Sequence, residues 1–349
     1  MDWDRKTIKV SAMALACAVL IRLVGVGALE AAIHGLASPE VMSFVLFLET
    51  GRLVKPAGLE LPTQPQLSTQ PTAPTEPEQT VSQETEPQVQ PTEPQQAVAV
   101  FSVSDAELVE VNSVCGYDAD VKEYLAQDLS WDLTQEAPTV LIVHSHATES
   151  YENTENYSES SNYRTRDTEY NMVSVGDRLV QVLEAAGIQA IHDRSLHDSP
   201  SYSDSYGNAR ESIRSYLEQY PSIRLVLDIH RDAVEDSRGD QMKFTVEKDG
   251  QSAARLMMVV GTDAGGLTHP DWPENMSLAV KLHAQLEKNT PGICRPISFR
   301  SQRFNQDLSP GALIVEVGAA GNTRQEALLS VELLGQAVCD IAAGANLQQ

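Results

Sequence analysis

Cysteine is scarce in this 349-residue chain, and basic residues are outnumbered by acidic ones. None of the four cysteines stands in a C-x-x-C pair, which argues against a cysteine-based zinc site. We expect Cys115, Cys294 and Cys339 to be buried free thiols, and one disulfide between two of them is the alternative if the domain is exported. Asp and Glu total 49 against 25 Lys and Arg, a net charge of −24. No cationic surface is present to neutralise phosphates, so we expect no nucleic-acid partner.

Any membrane attachment must be hydrophobic, because an acidic chain does not attract anionic lipid. Arg5, Lys6 and Lys9 precede a mostly apolar stretch, residues 10–33. A stretch of this length crosses a bilayer core at ~1.5 Å per residue. Basic residues before the span favour a cytoplasmic N-terminus and an external remainder. We therefore interpret residues 1–36 as a cytoplasmic tip and transmembrane anchor, and a cleaved signal peptide is the alternative.

Residues 37–97 are predicted to form a juxtamembrane segment and a linker. Residues 55–97 contain nine of the chain's 18 prolines, separated mainly by Gln, Thr and Glu. Such a composition cannot bury enough apolar surface to fold, and proline favours extended chain. We expect a semi-rigid tether, followed by an extracytoplasmic catalytic domain at residues 98–349.

Strand-type and helix-type patterns alternate through the C-terminal domain. The apolar runs VLIV, RLVLDI and ALIVEV predict buried strands, and helical spacing follows each of them. Alternation of this kind is typical of an α/β fold with a three-layer, mostly parallel sheet flanked by helices. The main predicted helices cover residues 170–186, 205–220, 275–289 and 323–342.

Polar side chains interrupt or follow three of the predicted strands. His144, His146 and Glu149 come after the first strand, His230 ends the second, and Glu316 lies within the third. Because parallel strands end on the same side of a sheet, we expect these side chains to converge.

The converging residue types suit a catalytic zinc site. Zinc in such sites takes three nitrogen or oxygen ligands and a water, and two His with one Glu is a known set. His144, Glu149 and His230 would be the ligands for Zn²⁺, and Glu316 the general acid/base. His146 competes with His144, because alternation on an extended strand puts both on one face. Asp232 could orient an imidazole.

Two further predictions concern polar residues outside this group. The loop FRSQRFNQDLSPG carries Arg303, Asn305 and Gln306, which could hold an anionic or amide substrate or simply form a surface loop. We interpret the remaining domain histidines as ordinary, with His283 exposed on a helix.

Several long motifs occur in an order that resembles one known family. LIVHSHATESY, LVLDIHRDA and FNQDLSPGALIVEVGAAGNT are similar to motifs of the stage II sporulation protein P family, over about residues 110–342. The resemblance implies an amidase-like fold and a membrane-anchored, zinc-dependent peptidoglycan hydrolase related to N-acetylmuramoyl-L-alanine amidases. It implies cleavage of the MurNAc–L-alanine amide and of peptide cross-links during septal wall degradation and engulfment in endospore formation. The implied partners are stage II sporulation proteins D and M.

The resemblance also carries residue roles. The first His and the Glu of HSHATE correspond to His144 and Glu149, the IHRD histidine to His230, and the acidic residue of the EVG strand to Glu316. In the wider amidase family the ligand Glu opens the first helix, which would instead indicate Glu169. Two functional alternatives remain: a non-catalytic membrane-tethered scaffold, and a zinc peptidase for another substrate.

Overall fold

The computed structural model describes residues 101–129, 132–152 and 162–345. The chain divides into two units, Met1–Gln88 and Val89–Gln349, and all described residues belong to the second. The predicted anchor and most of the predicted linker fall in the first unit. They lie outside the described residues and remain predictions.

Seven strands form one sheet in the order β1-β8-β7-β9-β4-β2-β3. Five of its six strand pairings are parallel, and only the β7–β9 pairing is antiparallel. A separate antiparallel hairpin is formed by β5 and β6. The bounds are β1 (Val111–Ser113), β2 (Val140–Val143), β3 (Ala190–His192), β4 (Leu225–Asp232), β5 (Thr245–Lys248), β6 (Gln251–Ala254), β7 (Leu256–Val260), β8 (Ile297–Phe299) and β9 (Ala312–Ala319).

Helices cover both faces of the sheet, so the predicted three-layer arrangement is confirmed. The larger core joins one face to α2, α4 and α5, and the smaller one joins the opposite face of β2 and β4 to α3. The helices are α1 (Val121–Ala126), α2 (Met172–Ala185), α3 (Ser205–Gln219), α4 (Trp272–Asn289) and α5 (Arg324–Ala345).

Local sequence explains the limits of α2. At its start the Asn171 side chain accepts a hydrogen bond from the backbone N–H of Val173 at 3.0 Å, which satisfies an otherwise free donor. Leu179 and Leu183 recur at helical spacing and are 0% exposed. Burial stabilises each by about 1.5–3 kcal/mol relative to an exposed side chain. The helix ends before Gly187, whose φ of +81° suits glycine.

The apolar helix α5 is a core element. Residues Arg324–Gly344 form the one helix in the described part of the chain that is long and apolar enough to cross a membrane. However, 67% of its apolar stretch is buried inside the protein. The helix packs against α2 and α4. Its apolar composition is therefore explained by the protein interior.

Some sequence expectations were wrong in detail. β1 and β8 have no counterpart among the predicted strands. His283 was expected to be exposed but is 2% exposed, because neighbouring elements bury α4 nearly all round. The three cysteines within the described ranges are free, and Cys115 is only half-buried.

Candidate metal centre

Two neighbouring strands bring His230 and Glu316 together. Strands β4 and β9 are parallel, and His230 is in register with Glu316. Paired residues of adjacent strands point to the same face, so both side chains lie on one face near the carboxyl ends of these strands. Strand β2 lies on the other side of β4 and ends at Val143, followed by a turn at residues 145–148. Those strand ends build one site.

The site contains a buried group of three potential metal ligands, which we call the metal cluster: His146, Glu149 and His230. One potential ligand atom from each lies within 4.8 Å of the others. Glu149 Oε1 is 3.5 Å from His146 Nδ1, and Glu149 Oε2 is 3.6 Å from His230 Nδ1. Two imidazoles and a carboxylate converging at such distances fit the donor set of a catalytic zinc site.

Asp228 fixes the orientation of His230. Its Oδ1 lies 2.8 Å from His230 Nε2 and accepts that N–H, leaving Nδ1 turned toward Glu149. The same carboxylate accepts hydrogen bonds from the backbone N–H and hydroxyl of Ser145. Burial would lower the pKa of His230, but the charges of Asp228, Glu149 and Glu316 outweigh it and raise this pKa to about 10. A carboxylate behind a ligating imidazole is a common support of metal sites.

Glu149 is held as an ionised carboxylate. Its Oε1 accepts a hydrogen bond from Arg164 Nη2 at 3.1 Å, and its Oε2 accepts one from the backbone N–H of Arg231 at 3.2 Å. Burial would raise its pKa, but Arg231, His146 and His230 together lower it to about 2. Glu149 therefore carries a negative charge at any working pH.

Glu316 has the opposite electrostatic character. Its Oε2 is buried and makes no hydrogen bond to any described residue. Burial, with smaller contributions from the charges of Glu149 and Asp232, raises the pKa of Glu316 to about 8. One carboxylate that stays charged beside another that exchanges a proton near neutral pH is the arrangement that separates a ligand from a general acid/base.

An aromatic wall formed by Tyr202, Tyr206 and Phe304 borders the metal cluster. The Tyr202 ring stacks on His146 with centroids 4.6 Å apart, and Tyr206 meets His146 edge-on at 5.3 Å. Phe304 lies 5.8 Å from Tyr206. None of the three was singled out from the sequence, because no local pattern shows that the start of α3 reaches the end of β2.

His144, a predicted ligand, lies apart from the metal cluster. Its Nδ1–H donates to the carbonyl of Ile229 at 2.9 Å, and its Nε2 faces His192 Nε2 at 2.8 Å. His192 Nδ1 in turn donates to Asp177 at 3.0 Å. Burial, foremost, lowers the pKa of His144 to about 3. The turn at 145–148 breaks the alternation expected from an extended strand, so His146 takes the position in the metal cluster. We call His144 and His192 the buried histidine pair.

The remaining predicted acidic residues also have other surroundings. Asp232 was expected to orient an imidazole, but it pairs with Arg295 at 2.8 Å, and Asp228 has the orienting contact. Glu169 is exposed and is not part of the metal cluster.

The polar loop before β9 supports the site more than it lines it. Gln306 is 3% exposed and bonds to the backbone of Val259 and Gly261. Asn305 donates to the carbonyl of Tyr206 at 2.9 Å, and Arg303 pairs with Asp307 at 3.3 Å. Asn305 and Gln306 thus anchor the segment that carries Phe304.

The fold and the site define an α/β protein with a candidate His₂Glu metal centre beside the carboxyl ends of a mostly parallel sheet. The model of the family described as stage II sporulation protein P (SpoIIP) matches residues 55–339, and the chain belongs to this family. A relative, stage II sporulation protein P of Bacillus subtilis (strain 168), is 29% identical over 204 residues. That match covers 55% of this chain and 48%, about half, of the relative.

Solved amidase structures show a weaker likeness. N-acetylmuramoyl-L-alanine amidase AmiC2 of Nostoc punctiforme is 18% identical, covering 60% of this chain and 98% of its own, with a TM-score of 0.34. The amidase Ami1 from Mycobacterium smegmatis is 12% identical, covering 62% and 100%, with a TM-score of 0.37. These scores are too low to support an inference, so the family assignment depends on the sequence match.

Proposed function

We propose that this protein is a zinc-dependent amide hydrolase of peptidoglycan that cuts the MurNAc–L-alanine amide, and also peptide cross-links, during septal wall degradation and engulfment in endospore formation. The observation that carries the proposal is the metal cluster with Glu316 beside it. Membership of a sporulation family supports the proposed setting.

In this proposal, three residues of the site bind the metal ion and Glu316 transfers the proton. His146, Glu149 and His230 would hold the ion, which when bound polarises the scissile carbonyl and lowers the pKa of a water toward ~7. Glu316 would take a proton from the attacking water at its unpartnered Oε2 and pass it to the leaving nitrogen. Burial raises the pKa of Glu316 from its ordinary value toward neutrality, which suits both transfers, because an efficient acid/base titrates near the working pH.

The proposal includes the placement of the protein. The apolar segment within residues 1–36 would anchor the chain in the cell membrane. Residues 37–97 would tether the catalytic domain to that anchor, outside the membrane, where the domain reaches the wall peptidoglycan. Stage II sporulation proteins D and M are the proposed partners. Recovery of the full chain in the soluble fraction after cell lysis would contradict the anchor.

Glu316→Gln tests the catalytic proposal. Muropeptide release from purified sacculi should fall about 10²–10⁴-fold, because the general acid/base is lost, while zinc content stays unchanged. Glu169→Gln is a matched control at an exposed glutamate and should keep full release. Undiminished release by Glu316→Gln would remove the assigned role.

Zinc content and product mass separate the alternative functions. A scaffold should hold no stoichiometric zinc and release nothing. An amidase frees an intact stem peptide from the lactyl ether of MurNAc, whereas a peptidase for another substrate leaves that bond uncut.

A further inference from the structure

Tyr206 is held firmly beside two of the proposed ligands. Its ring meets His146 edge-on at 5.3 Å and lies nearly parallel to His230 at 6.5 Å. Phe304 packs on it at 5.8 Å, and Asn305 binds its backbone carbonyl. The ring therefore has a defined position over the metal cluster.

The Tyr206 hydroxyl has no hydrogen-bond partner among the described residues, and it is not one of the fully buried polar atoms. Two other tyrosines differ: Tyr151 donates to the Val317 carbonyl at 2.8 Å, and Tyr117 donates to Asp263 at 2.9 Å. A tyrosine hydroxyl in a largely buried setting usually finds a partner. The Tyr206 hydroxyl is thus left available to a molecule that enters the site.

The Tyr206 hydroxyl is able to act as a donor, because a phenol keeps its proton at neutral pH. No carboxylate among the described residues accepts a hydrogen bond from it.

We propose that Tyr206 is a further catalytic residue whose hydroxyl donates a hydrogen bond to the scissile carbonyl oxygen as that oxygen becomes negative. This role of Tyr206 rests on the proposed amide hydrolysis. Tyr206 is not one of the residues that the proposed metal site requires. Hydrogen-bond donors fixed where charge develops are among the strongest contributors to catalysis.

The amide hydrolysis proceeds in two steps. The water oxygen adds to the carbonyl carbon, the C=O π pair moves to the carbonyl oxygen, and Glu316 accepts the water proton. The C–N bond then breaks, its electron pair goes to nitrogen, and nitrogen takes the proton from Glu316. The carbonyl re-forms in a carboxyl product beside a free amine. Tyr206 donates throughout and transfers no proton.

Tyr202 provides a matched control in the same aromatic wall. It is 55% exposed, so bulk water can satisfy its hydroxyl. Its ring lies flat on His146 at 4.6 Å, and the Arg164 guanidinium sits 4.5 Å from the ring centroid. Removing its hydroxyl leaves both contacts in place.

The experiment compares Tyr206→Phe with Tyr202→Phe in the full chain loaded with zinc. On a soluble muropeptide, kcat of Tyr206→Phe should fall about 10²–10³-fold, the usual effect of removing one oxyanion donor, with KM within a few-fold of wild type. A phosphinate analogue of the tetrahedral state, titrated calorimetrically, should bind Tyr206→Phe more weakly by a similar factor. Tyr202→Phe should match wild type in both measurements, and both variants should retain zinc and thermal stability.

The outcomes separate this role from the proposed function. Full activity of Tyr206→Phe beside an inactive Glu316→Gln would overturn the Tyr206 role alone. Loss of zinc or of thermal stability in Tyr206→Phe would show a structural role and overturn it as well. A zinc-loaded wild type that cuts no muropeptide would remove the proposed function together with this role.

Discussion

Two histidines that follow β2 with one residue between them, His144 and His146, belong to different groups. The buried histidine pair is built on His144, which is 0% exposed. The metal cluster is built on His146, whose side chain is 12% exposed beneath the aromatic wall. Two identical side chains therefore enter different environments, because the chain turns at residues 145–148, directly after His144.

The difference between the groups lies in what each imidazole nitrogen meets. In the buried histidine pair, each Nδ1 donates to a protein acceptor and the two Nε2 atoms face each other. In the metal cluster, His230 uses one nitrogen on Asp228 and turns the other toward the ionised Glu149. Only the second arrangement leaves nitrogen and carboxylate donors converging on one point. The groups that its ring nitrogens contact therefore decide whether a histidine can hold a metal ion.

The largest expected effects come from removing each of the two histidines in turn, which tests the difference between the two groups directly. His146→Ala should lose stoichiometric zinc and all detectable hydrolysis, because it removes one of three ligands. His144→Ala should keep its zinc and lose stability by about 1–3 kcal/mol, because His192 Nε2 and the Ile229 carbonyl lose their partner. Zinc analysis and urea unfolding measure the two effects. Zinc lost from His144→Ala and kept by His146→Ala would restore the assignment made from the sequence.

A smaller effect is expected at the carboxylate behind the ligand. Asp228→Asn should weaken zinc binding about 10–100-fold, the usual result of losing such a support. Asp232→Asn is the matched control, because Asp232 pairs with Arg295, and its zinc affinity should stay within a few-fold. Calorimetric titration with zinc measures both. Equal losses in the two variants would contradict the orienting role of Asp228.

The same change should alter the pH dependence of zinc binding. Zinc must displace the proton that His230 carries below its folded pKa of about 10, so wild-type affinity should rise with pH throughout the neutral range. Asp228→Asn removes the largest charge that raises this pKa, so its affinity should level off at a lower pH. In the metal-free protein this raised pKa stabilises the fold below about 6.5, and the contribution is lost as pH rises toward about 10.

Those parts of the site that lie at the ends of long apolar sequence patterns could be predicted from the sequence. Apolar runs of the β2, β4 and β9 type mark buried strands, and parallel pairing then brings their ends together. His230, Glu149 and Glu316 were grouped on this basis, and the structure does bring them into one site. Glu316 stood out because burying a carboxylate within an apolar run is costly unless it has a partner or a function.

The remaining features depend on tertiary placement. Periodicity does not show where β2 stops and turns, so it could not separate His144 from His146. Asp228 had a usable signal, because it is two residues before His230 and alternation puts both on one face. Tyr206 had none, since only the packing of α3 brings it to the metal cluster.

The smallest expected effect on zinc binding concerns Gly176, which tests whether the two histidine groups are independent. A Cβ at this position of α2 would lie 2.5 Å from His192 Nε2 and 2.6 Å from His144 Nε2. Gly176→Ala should therefore cost about 1–3 kcal/mol of stability, because a packed pair cannot make room without strain. Gly207→Ala in α3 is the matched control: a Cβ there meets nothing within 4 Å, and it should be neutral or stabilise by up to about 1 kcal/mol. Urea unfolding measures both changes, and zinc content should stay at wild-type level in each. Zinc loss in Gly176→Ala would show that the buried histidine pair positions the metal cluster, and that the two groups act as one unit.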